Sequence, residues 1–266
     1  IFNNAKTKIT NTDKDRLIAS LKNLSEYKDL ENTINMEEVL RYFVIHNFVC
    51  NEDSYTGTMV HNYYLYEEDG KLSMIPWDYN LAFGTFQGND ASGIINSSID
   101  SPVNGDVNDR PMVGWIFSNE KYIEMYHTLF NEFINSNKLE SMIEETYNLI
   151  RPYVEKDPTK FCTLEEFDTA KDAISTFATL RLQAVKQQLN GNTDKVDTGT
   201  LNLSDMGTMN NGQGGQQMPM DNGEMPNNPF ENGEMPTQDF NGFEKPDRKD
   251  FNNQENFTPP NMNPPD

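Results

Sequence analysis

Hydrophobic residues recur at helical spacing in five segments of the first 189 residues. The segments span about residues 12–30, 36–49, 119–136, 138–151 and 164–189. Within them, apolar side chains return at every third or fourth position, which is the pattern of an amphipathic helix. Asn35 and Thr163 each precede a glutamate by three residues, the capping-box arrangement expected at the start of a helix. The pattern predicts a mostly helical body.

The segment that begins near Met36 differs from the others because it is apolar on most sides. Its apolar residues are Val39, Leu40, Phe43, Val44, Ile45, Phe48 and Val49. A helix without a broad polar face is expected in the centre of a domain. We therefore expect its C-terminal end to hold Asn51, Asp53 and Gly57 in a fixed place.

A β-hairpin is predicted directly after this helix. Residues 62–66 and 72–76 alternate or run apolar and aromatic, with Asp69-Gly70 in the segment between them. Glycine supplies the positive φ that a tight hairpin turn requires. Pro76 cannot donate to a strand ladder, so we expect the second strand to end there and Asp78 to lie at the strand exit. The fold class is thus α+β, mostly helical, with the hairpin between Asp53 and Asp78.

The sequence does not decide the structure of two features around the hairpin. The aromatic side chains of residues 63–86 could stack on a nucleotide base or form a core, and strand alternation turns about half of them inward. Residues 84–111 are rich in Gly, Asn, Ser and Asp and have no clear period. A loop this long inside a compact domain is typically functional or mobile.

The composition divides the chain near residue 190. Residues 190–266 contain nine of the 14 prolines, nine of the 16 glycines and seven of the 13 methionines. The segment Asp221-Asn-Gly-Glu-Met-Pro226 recurs as Glu231-Asn-Gly-Glu-Met-Pro236, a period too short and polar for a solenoid unit. We predict a folded domain over residues 1–189 and a disordered low-complexity tail over residues 190–266.

The net charge of −21 bears on possible partners. Residues 1–189 carry 29 acidic and 17 basic side chains, and residues 190–266 carry 13 and 4, so each part is acidic. Such a field repels phosphate backbones, and no Lys/Arg cluster interrupts it, which argues against nucleic-acid binding. Two interpretations are left open: a basic protein partner, and acidity that serves solubility alone.

Other sequence features concern the compartment and the completeness of the chain. No stretch approaches the roughly 20 apolar residues that cross a bilayer, and no signal peptide opens the chain. The first residue is Ile1, so we expect a C-terminal portion of a longer protein. Cys50 and Cys162 are expected to be free, partly buried thiols, although two cysteines would also permit one disulfide in an exported protein.

Asp53 and Asp78 are the main candidates for chemistry. They lie 25 residues apart, and the hairpin between them would return the chain to near the end of the central helix. Asn62 and Asn80 lie beside the two carboxylates, and oxygen-only ligands are those that Mg²⁺ prefers. The alternative is structural: Asp53 would form a turn and Asp78 would cap the next segment, as most loop aspartates do.

The three histidines show no zinc-binding spacing. We expect His46 to pack in the interior and His127 to lie on a helix surface. His61 could face the site or be structural. The chain also lacks a Walker loop, a nucleophile elbow and a dinucleotide fingerprint, which removes support for ordinary hydrolase and Rossmann functions.

Several long sequence words around the two aspartates resemble the spore coat protein H (CotH) kinase family. They are Leu40-Arg-Tyr-Phe43, Asn51-x-Asp53-Ser-Tyr-x-Gly57, His61-Asn-Tyr-Tyr-Leu-Tyr66 and Ile75-Pro-Trp-Asp-Tyr-Asn-Leu-Ala-Phe-Gly84, with looser matches at Arg110-Pro-Met112 and residues 122–133. The resemblance covers about residues 36–135. Long words in the right order are far more specific than one short motif.

The resemblance implies an atypical protein kinase-like C-terminal lobe that uses ATP and Mg²⁺, or Mn²⁺, to phosphorylate Ser/Thr-rich and basic coat-type proteins. Asp53 matches the family's catalytic-loop aspartate, and Asp78 matches its metal-binding aspartate. Asn62 and Asn80 lie inside matched words, and their cofactor-binding roles are inferred from amide chemistry. The implied location is the spore coat or the cell surface.

One departure concerns the ATP-covering part of a kinase. Residues 1–35 contain no glycine-rich loop and no β-rich lobe with a Lys–Glu pair, so we expect that lobe upstream and expect this chain alone to be inactive. The competing hypothesis is a non-catalytic coat assembly or cell-surface binding protein that retains the fold, because a fold does not guarantee an activity.

Overall fold

The computed structural model describes residues 2–86, 90–136 and 138–207, which are mostly helical with one two-stranded antiparallel sheet. The helices are α1 (Asn11–Ser25), α2 (Leu30–Thr33), α3 (Met36–Phe48), α4 (Ala91–Ile95), α5 (Pro111–Gly114), α6 (Glu120–Ile134), α7 (Leu139–Lys156) and α8 (Leu164–Leu189). The strands are β1 (Tyr63–Glu68) and β2 (Lys71–Pro76). Short 3₁₀ turns lie at Phe2–Asn4, Tyr79–Leu81, Val107–Asp109, Trp115–Ser118 and Leu203–Met206.

The five predicted helical segments correspond to α1, α3, α6, α7 and α8. The first ends at Ser25 instead of residue 30, because Tyr27 and Asp29 adopt positive φ angles of 52° and 48° that a helix cannot contain. The fourth extends past residue 151 to Lys156 and contains Pro152. The mostly helical prediction is therefore confirmed.

The two predicted capping boxes have different outcomes. At α8, Thr163 and Glu166 form the reciprocal pair of hydrogen bonds. At α3, the Asn35 side chain makes no cap bond. Glu38 instead accepts a hydrogen bond of 2.6 Å from the Ser73 hydroxyl. The start of α3 is thus fixed by a tertiary contact with β2, which local spacing could not reveal.

The predicted hairpin is present, with β1 extending to Glu68 and β2 starting at Lys71, so the connecting segment is shorter than expected. Tyr63 pairs with Pro76 and Glu68 with Lys71, which leaves Asp69-Gly70 as a two-residue turn. Both turn residues have positive φ, 51° and 82°, as a type I′ turn requires. One face of the hairpin buries Leu72 and Met74 against the core, so β2 packs on α3.

Helix α3 lies at the centre of the larger hydrophobic core, as predicted. Val39, Leu40, Phe43 and Phe48 are fully buried in it. The surrounding buried residues come from α1, β2, α5, α6 and α8. Its exposed positions are confined to one narrow stripe of Glu37, Glu38, Arg41 and Ile45, which explains why the rest of its sequence is apolar.

Residues 90–111 are packed, not a featureless loop. They contain α4, and Ile95 and Ile99 are fully buried. A five-residue helix with one or two apolar anchors is too short to produce a detectable period. Ile95 joins Cys50 and Phe177 in a second core cluster.

The packed region continues beyond residue 189, where we placed the start of the tail. Val196 and Leu203 are buried in the second cluster. The Asn96 side chain bonds the backbone of Val196 twice, at 3.1 and 2.8 Å. The boundary is therefore at residue 207 or later, because two apolar side chains dock on α8 and α4. The rest of the predicted tail, residues 208–266, lies outside the described residues.

Both cysteines are free, Cys50 buried and Cys162 half-buried. This agrees with the interpretation of two partly buried thiols. Among the described residues, no helix is both long and apolar enough to cross a membrane.

A buried arginine joins α8 to the end of α3. Arg181 is 1% exposed. Its guanidinium donates to the carbonyl oxygens of Asn47 and Phe48 at 2.9 and 3.3 Å. It also donates to the carbonyls of Ile95 and Ser97 at 2.8 and 2.7 Å. In the described part of the chain no carboxylate pairs with it, so the charge is matched by peptide dipoles at the negative end of α3.

We expect Arg181→Met to lower the free energy of unfolding by about 3 kcal/mol or more, since buried carbonyl oxygens lose their donors. Arg151→Met is the matched control. Arg151 pairs with Asp168 on the partly exposed surface, where solvent screens the ion pair, so its loss should cost much less than that of Arg181. Urea unfolding measures the free energy of unfolding of both variants. Equal decreases in the two variants would contradict the role of Arg181.

Candidate active site

The candidate site begins where α3 ends. After Phe48 the chain turns into a buried loop from Asn51 to Gly57. A Cβ atom at Gly57 would overlap the carbonyl oxygen of Glu52, so only glycine permits this close approach of the backbone to itself. The result is a tight loop that holds Asp53 with little freedom.

Asp53 has two oxygens in different surroundings, although its side chain is largely buried. Asn62 donates through Nδ2 to Asp53 Oδ2 at 3.0 Å and to the Asp53 carbonyl at 2.9 Å. His61 Nε2 lies 2.9 Å from Asp53 Oδ1. That contact lacks hydrogen-bond alignment, and within the described residues Oδ1 has no other donor. One oxygen is held by Asn62, and the other is buried without a hydrogen-bond donor in the described part of the chain.

Asn62 is held in an uncommon backbone conformation. Its φ is 54°, and that of Val60 is 50°. Positive φ is a genuine outlier for a β-branched residue such as Val60. Backbone strain of this kind persists where the surrounding structure enforces it, frequently at functional sites. In the described part of the chain, the Asn62 side-chain oxygen accepts no hydrogen bond and can act as a ligand.

Asp78 lies at the exit of β2, as predicted, and is exposed. Its backbone is left-handed, with φ 59° and ψ 60°, and it precedes the Tyr79–Leu81 turn without capping it through its side chain. Its carboxylate is therefore not occupied as a helix cap. Asn80 is exposed in the same turn, and among the residues described no hydrogen bond joins its side chain to Asp53 or Asp78.

Both loops are attached to the end of α3. His46, on α3, bonds the hydroxyls of Ser54 and Thr56 on the Asp53 side. It also bonds the Tyr79 hydroxyl on the Asp78 side, at 2.7 Å. Farther along, the amide of Phe83 donates to the Val49 carbonyl at 2.5 Å. The hairpin thus returns the chain to the end of α3, as the spacing predicted.

The oxygen donors fit a magnesium-type site better than a zinc-type site. Within residues 2–86, 90–136 and 138–207, no three His, Cys, Asp or Glu side chains gather as a metal cluster. Mg²⁺ is commonly held by one or two carboxylates together with substrate phosphates and waters. Asp78 and the free oxygen of Asn62 offer that chemistry.

Comparison with known proteins relates most of the chain to one family. Residues 2–185 match the family described as CotH kinase protein. The chain belongs to the CotH family. It is also similar to inner spore coat protein H of Bacillus subtilis (strain 168), with 28% identity over 162 residues. That match covers 59% of this chain and 42% of the relative, so the CotH-family chain spans less than half of that protein. No solved structure matches.

Two histidines of this CotH-family protein have roles that sequence reasoning left open or missed. His61 contacts Asp53, so it faces the site. Its position directly before Asn62 in a matched word was the available signal. His46 is buried, as expected, but its bonds to both loops were not predicted. Its partners Ser54 and Tyr79 are hydroxyl residues without a distinctive spacing.

His46 is neutral in the folded protein because burial lowers its pKa to about 3. In the unfolded chain a histidine has a pKa near 6.5. Unfolding therefore takes up a proton at any pH between these values, and the stability that neutral His46 contributes is lost as the pH falls below about 6.5.

We expect the free energy of unfolding to fall by about 2 kcal/mol from this residue between about pH 7 and 5. Urea unfolding at both pH values measures it. The His46→Gln variant should lack this component, whereas His127→Gln, which removes a partly exposed histidine, should retain it. The same pH dependence in His46→Gln as in the wild type would contradict the assignment.

Proposed function

We propose that this CotH-family protein carries the metal-binding and hydroxyl-activating half of an atypical Ser/Thr protein kinase, with the architecture of a kinase C-terminal lobe. The observation that carries the proposal is the asymmetric Asp53 carboxylate, with Oδ2 held by Asn62 and Oδ1 left without a donor among the described residues. A base that orients an attacking hydroxyl needs one fixed and one free oxygen.

In this proposal, Asp53 Oδ1 accepts a hydrogen bond from the substrate hydroxyl and takes its proton as phosphoryl transfer proceeds. Two bonds from Asn62 keep the carboxylate in place, which favours the in-line approach of the hydroxyl. His61 lies beside the same oxygen and is partly exposed, so it offers the buried Asp53 a route for the proton to solvent.

Asp78 and the side-chain oxygen of Asn62 would hold Mg²⁺ or Mn²⁺, with Asn80 as an additional amide near the nucleotide. When bound, the metal neutralises charge on the ATP phosphates. The two aspartates suit different tasks: exposed Asp78 keeps room for waters and phosphates, whereas Asp53 is largely shielded from water.

The substrate and location follow from charge and relatedness. A protein of net charge −21 attracts basic segments, so we propose basic, Ser/Thr-rich protein substrates. The relative's printed name, inner spore coat protein H, supports a spore coat location. Because this chain spans 42% of that relative, we propose that elements covering the ATP phosphates belong to the full-length protein, which is the material to test.

We expect Asp53→Asn and Asp78→Asn in the full-length protein to lower phosphate transfer from labelled ATP to a basic Ser-rich substrate by about 100-fold or more. Asp69→Asn is the matched control. Asp69 lies in the type I′ turn, where Asn is equally suitable, so activity should stay within about twofold. Unchanged transfer in Asp78→Asn would rule out the proposed metal role.

A binding function without catalysis is the second candidate. It is favoured by the outer face of the hairpin, where Ile75 and Trp77 are 44% and 54% exposed. Exposed apolar side chains in a cluster are typical of interaction surfaces. A coat assembly or cell-surface binding protein could use this face without any nucleotide.

Nucleotide binding separates the two candidates, because a ligand that binds only the folded state raises its stability. With MgATP at about 100 times its dissociation constant, the kinase proposal predicts a stabilisation of about 2.7 kcal/mol and a higher Tm. Asp78→Asn should lose most of the increase, and Asp69→Asn should retain it. If MgATP leaves the Tm of the full-length protein unchanged, the binding function is favoured.

A further inference from the structure

We propose that His46 is a positioning residue that couples the Asp53 loop to the Asp78 loop. Its catalytic consequence rests on the proposed kinase function, whereas the mechanical coupling of the loops does not. His46 itself touches neither aspartate. It contacts Ser54, which follows Asp53, and Tyr79, which follows Asp78.

The imidazole uses both nitrogens. Nε2 lies 2.8 Å from the Ser54 hydroxyl and 2.9 Å from the Thr56 hydroxyl. Nδ1 lies 2.7 Å from the Tyr79 hydroxyl. His46 is only 1% exposed, so little of the ring is available to bulk water. The ring therefore connects two segments rigidly. The aspartates of these segments, Asp53 and Asp78, lie 25 residues apart in the sequence.

The hydrogen bonds have one consistent direction. Ser54 donates its hydroxyl proton to the Asn51 carbonyl at 2.6 Å, so its oxygen accepts from His46. The Nε2 atom then carries the proton of the neutral ring and shares it between the Ser54 and Thr56 hydroxyls, and Nδ1 accepts from Tyr79. The chain runs from Tyr79 through His46 and Ser54 to the backbone of Asn51. Bonds in such a chain polarise one another, so loss of one weakens the others.

Aromatic packing holds the ring in the required orientation. Tyr42 stacks on it, with centroids 5.3 Å apart and planes inclined by 13°. Phe43 and Tyr79 meet it edge to face, at 6.1 and 5.8 Å. Because of this packing, the ring cannot rotate to keep its hydrogen bond with one loop when the other loop moves. A displacement of the Tyr79 segment is therefore transmitted to Ser54, one residue from the catalytic carboxylate.

Amide hydrogen exchange tests the coupling without any assay of activity. Tyr79→Phe removes one hydroxyl and leaves the ring. We expect amide exchange to become about tenfold faster both in residues 79–84 and in residues 52–57. Tyr66→Phe is the control, because Tyr66 is 44% exposed on the hairpin and its loss should change neither segment. Faster exchange confined to residues 79–84 would overturn the coupling.

Two substitutions of His46 test the catalytic consequence. The glutamine amide reaches the position of Nε2, and the asparagine amide that of Nδ1, so each keeps one side of the connection. His46→Gln should raise the Mg²⁺ concentration for half-maximal rate about tenfold, since the Asp78 side is released. His46→Asn should lower kcat about tenfold, with a smaller change in metal dependence.

The outcomes separate this inference from the proposed function. A merely structural role predicts a lower Tm with unchanged kcat and metal dependence per folded molecule in both His46 variants, which would overturn the positioning role. If the wild-type protein transfers no phosphate, the kinase proposal fails. The hydrogen-exchange result then decides the coupling alone, by the change in residues 52–57.

Discussion

The whole candidate site depends on the bonds between Arg181 and the C-terminal end of α3. A helix end leaves carbonyl oxygens without partners and concentrates partial negative charge there. The guanidinium satisfies those of Asn47 and Phe48 and also holds the chain at Ile95 and Ser97. Because the positive charge is surrounded by oriented dipoles, it is tolerated in the interior without a carboxylate. The loop of Asp53 therefore starts from a fixed point.

Beyond the C-terminal end of α3, the two aspartates lie in different surroundings. Asp53 lies in a tight buried loop that Gly57 permits and that Asn62 clamps. Asp78 lies exposed in a left-handed backbone conformation at the end of a strand. The same functional group therefore lies in two different environments, one buried and one exposed. The left-handed conformation of Val60, which is rare for a β-branched residue, indicates that packing around the site enforces local strain, whereas Asn62 and Asp78 are of residue types that adopt this conformation more readily.

His46, which connects the two loops, stays neutral although the chain as a whole is acidic. A net charge of −21 would favour protonation of any accessible histidine, yet burial lowers the pKa of His46 to about 3. A neutral ring can both donate and accept, which a protonated ring cannot. The bond from Tyr79 requires the accepting nitrogen. Burial therefore protects the hydrogen-bonding capacity that connects the two loops.

Local sequence was sufficient for the features that repeat or that obey short-range stereochemistry. Periodicity indicated α3, α6 and α8, and Asp69-Gly70 indicated the turn, because these depend on neighbours a few residues apart. Motif words selected Asp53, Asp78 and Asn62 as candidates, and the family match spans them. The different surroundings of the two Asp53 oxygens depended on tertiary structure. So did Arg181, whose partners lie 84 to 134 residues away, and the docking of residues 190–207. Hydrogen bonds between distant segments leave no local pattern in a chain, since any polar residue of suitable reach can form them once packing has brought the segments together.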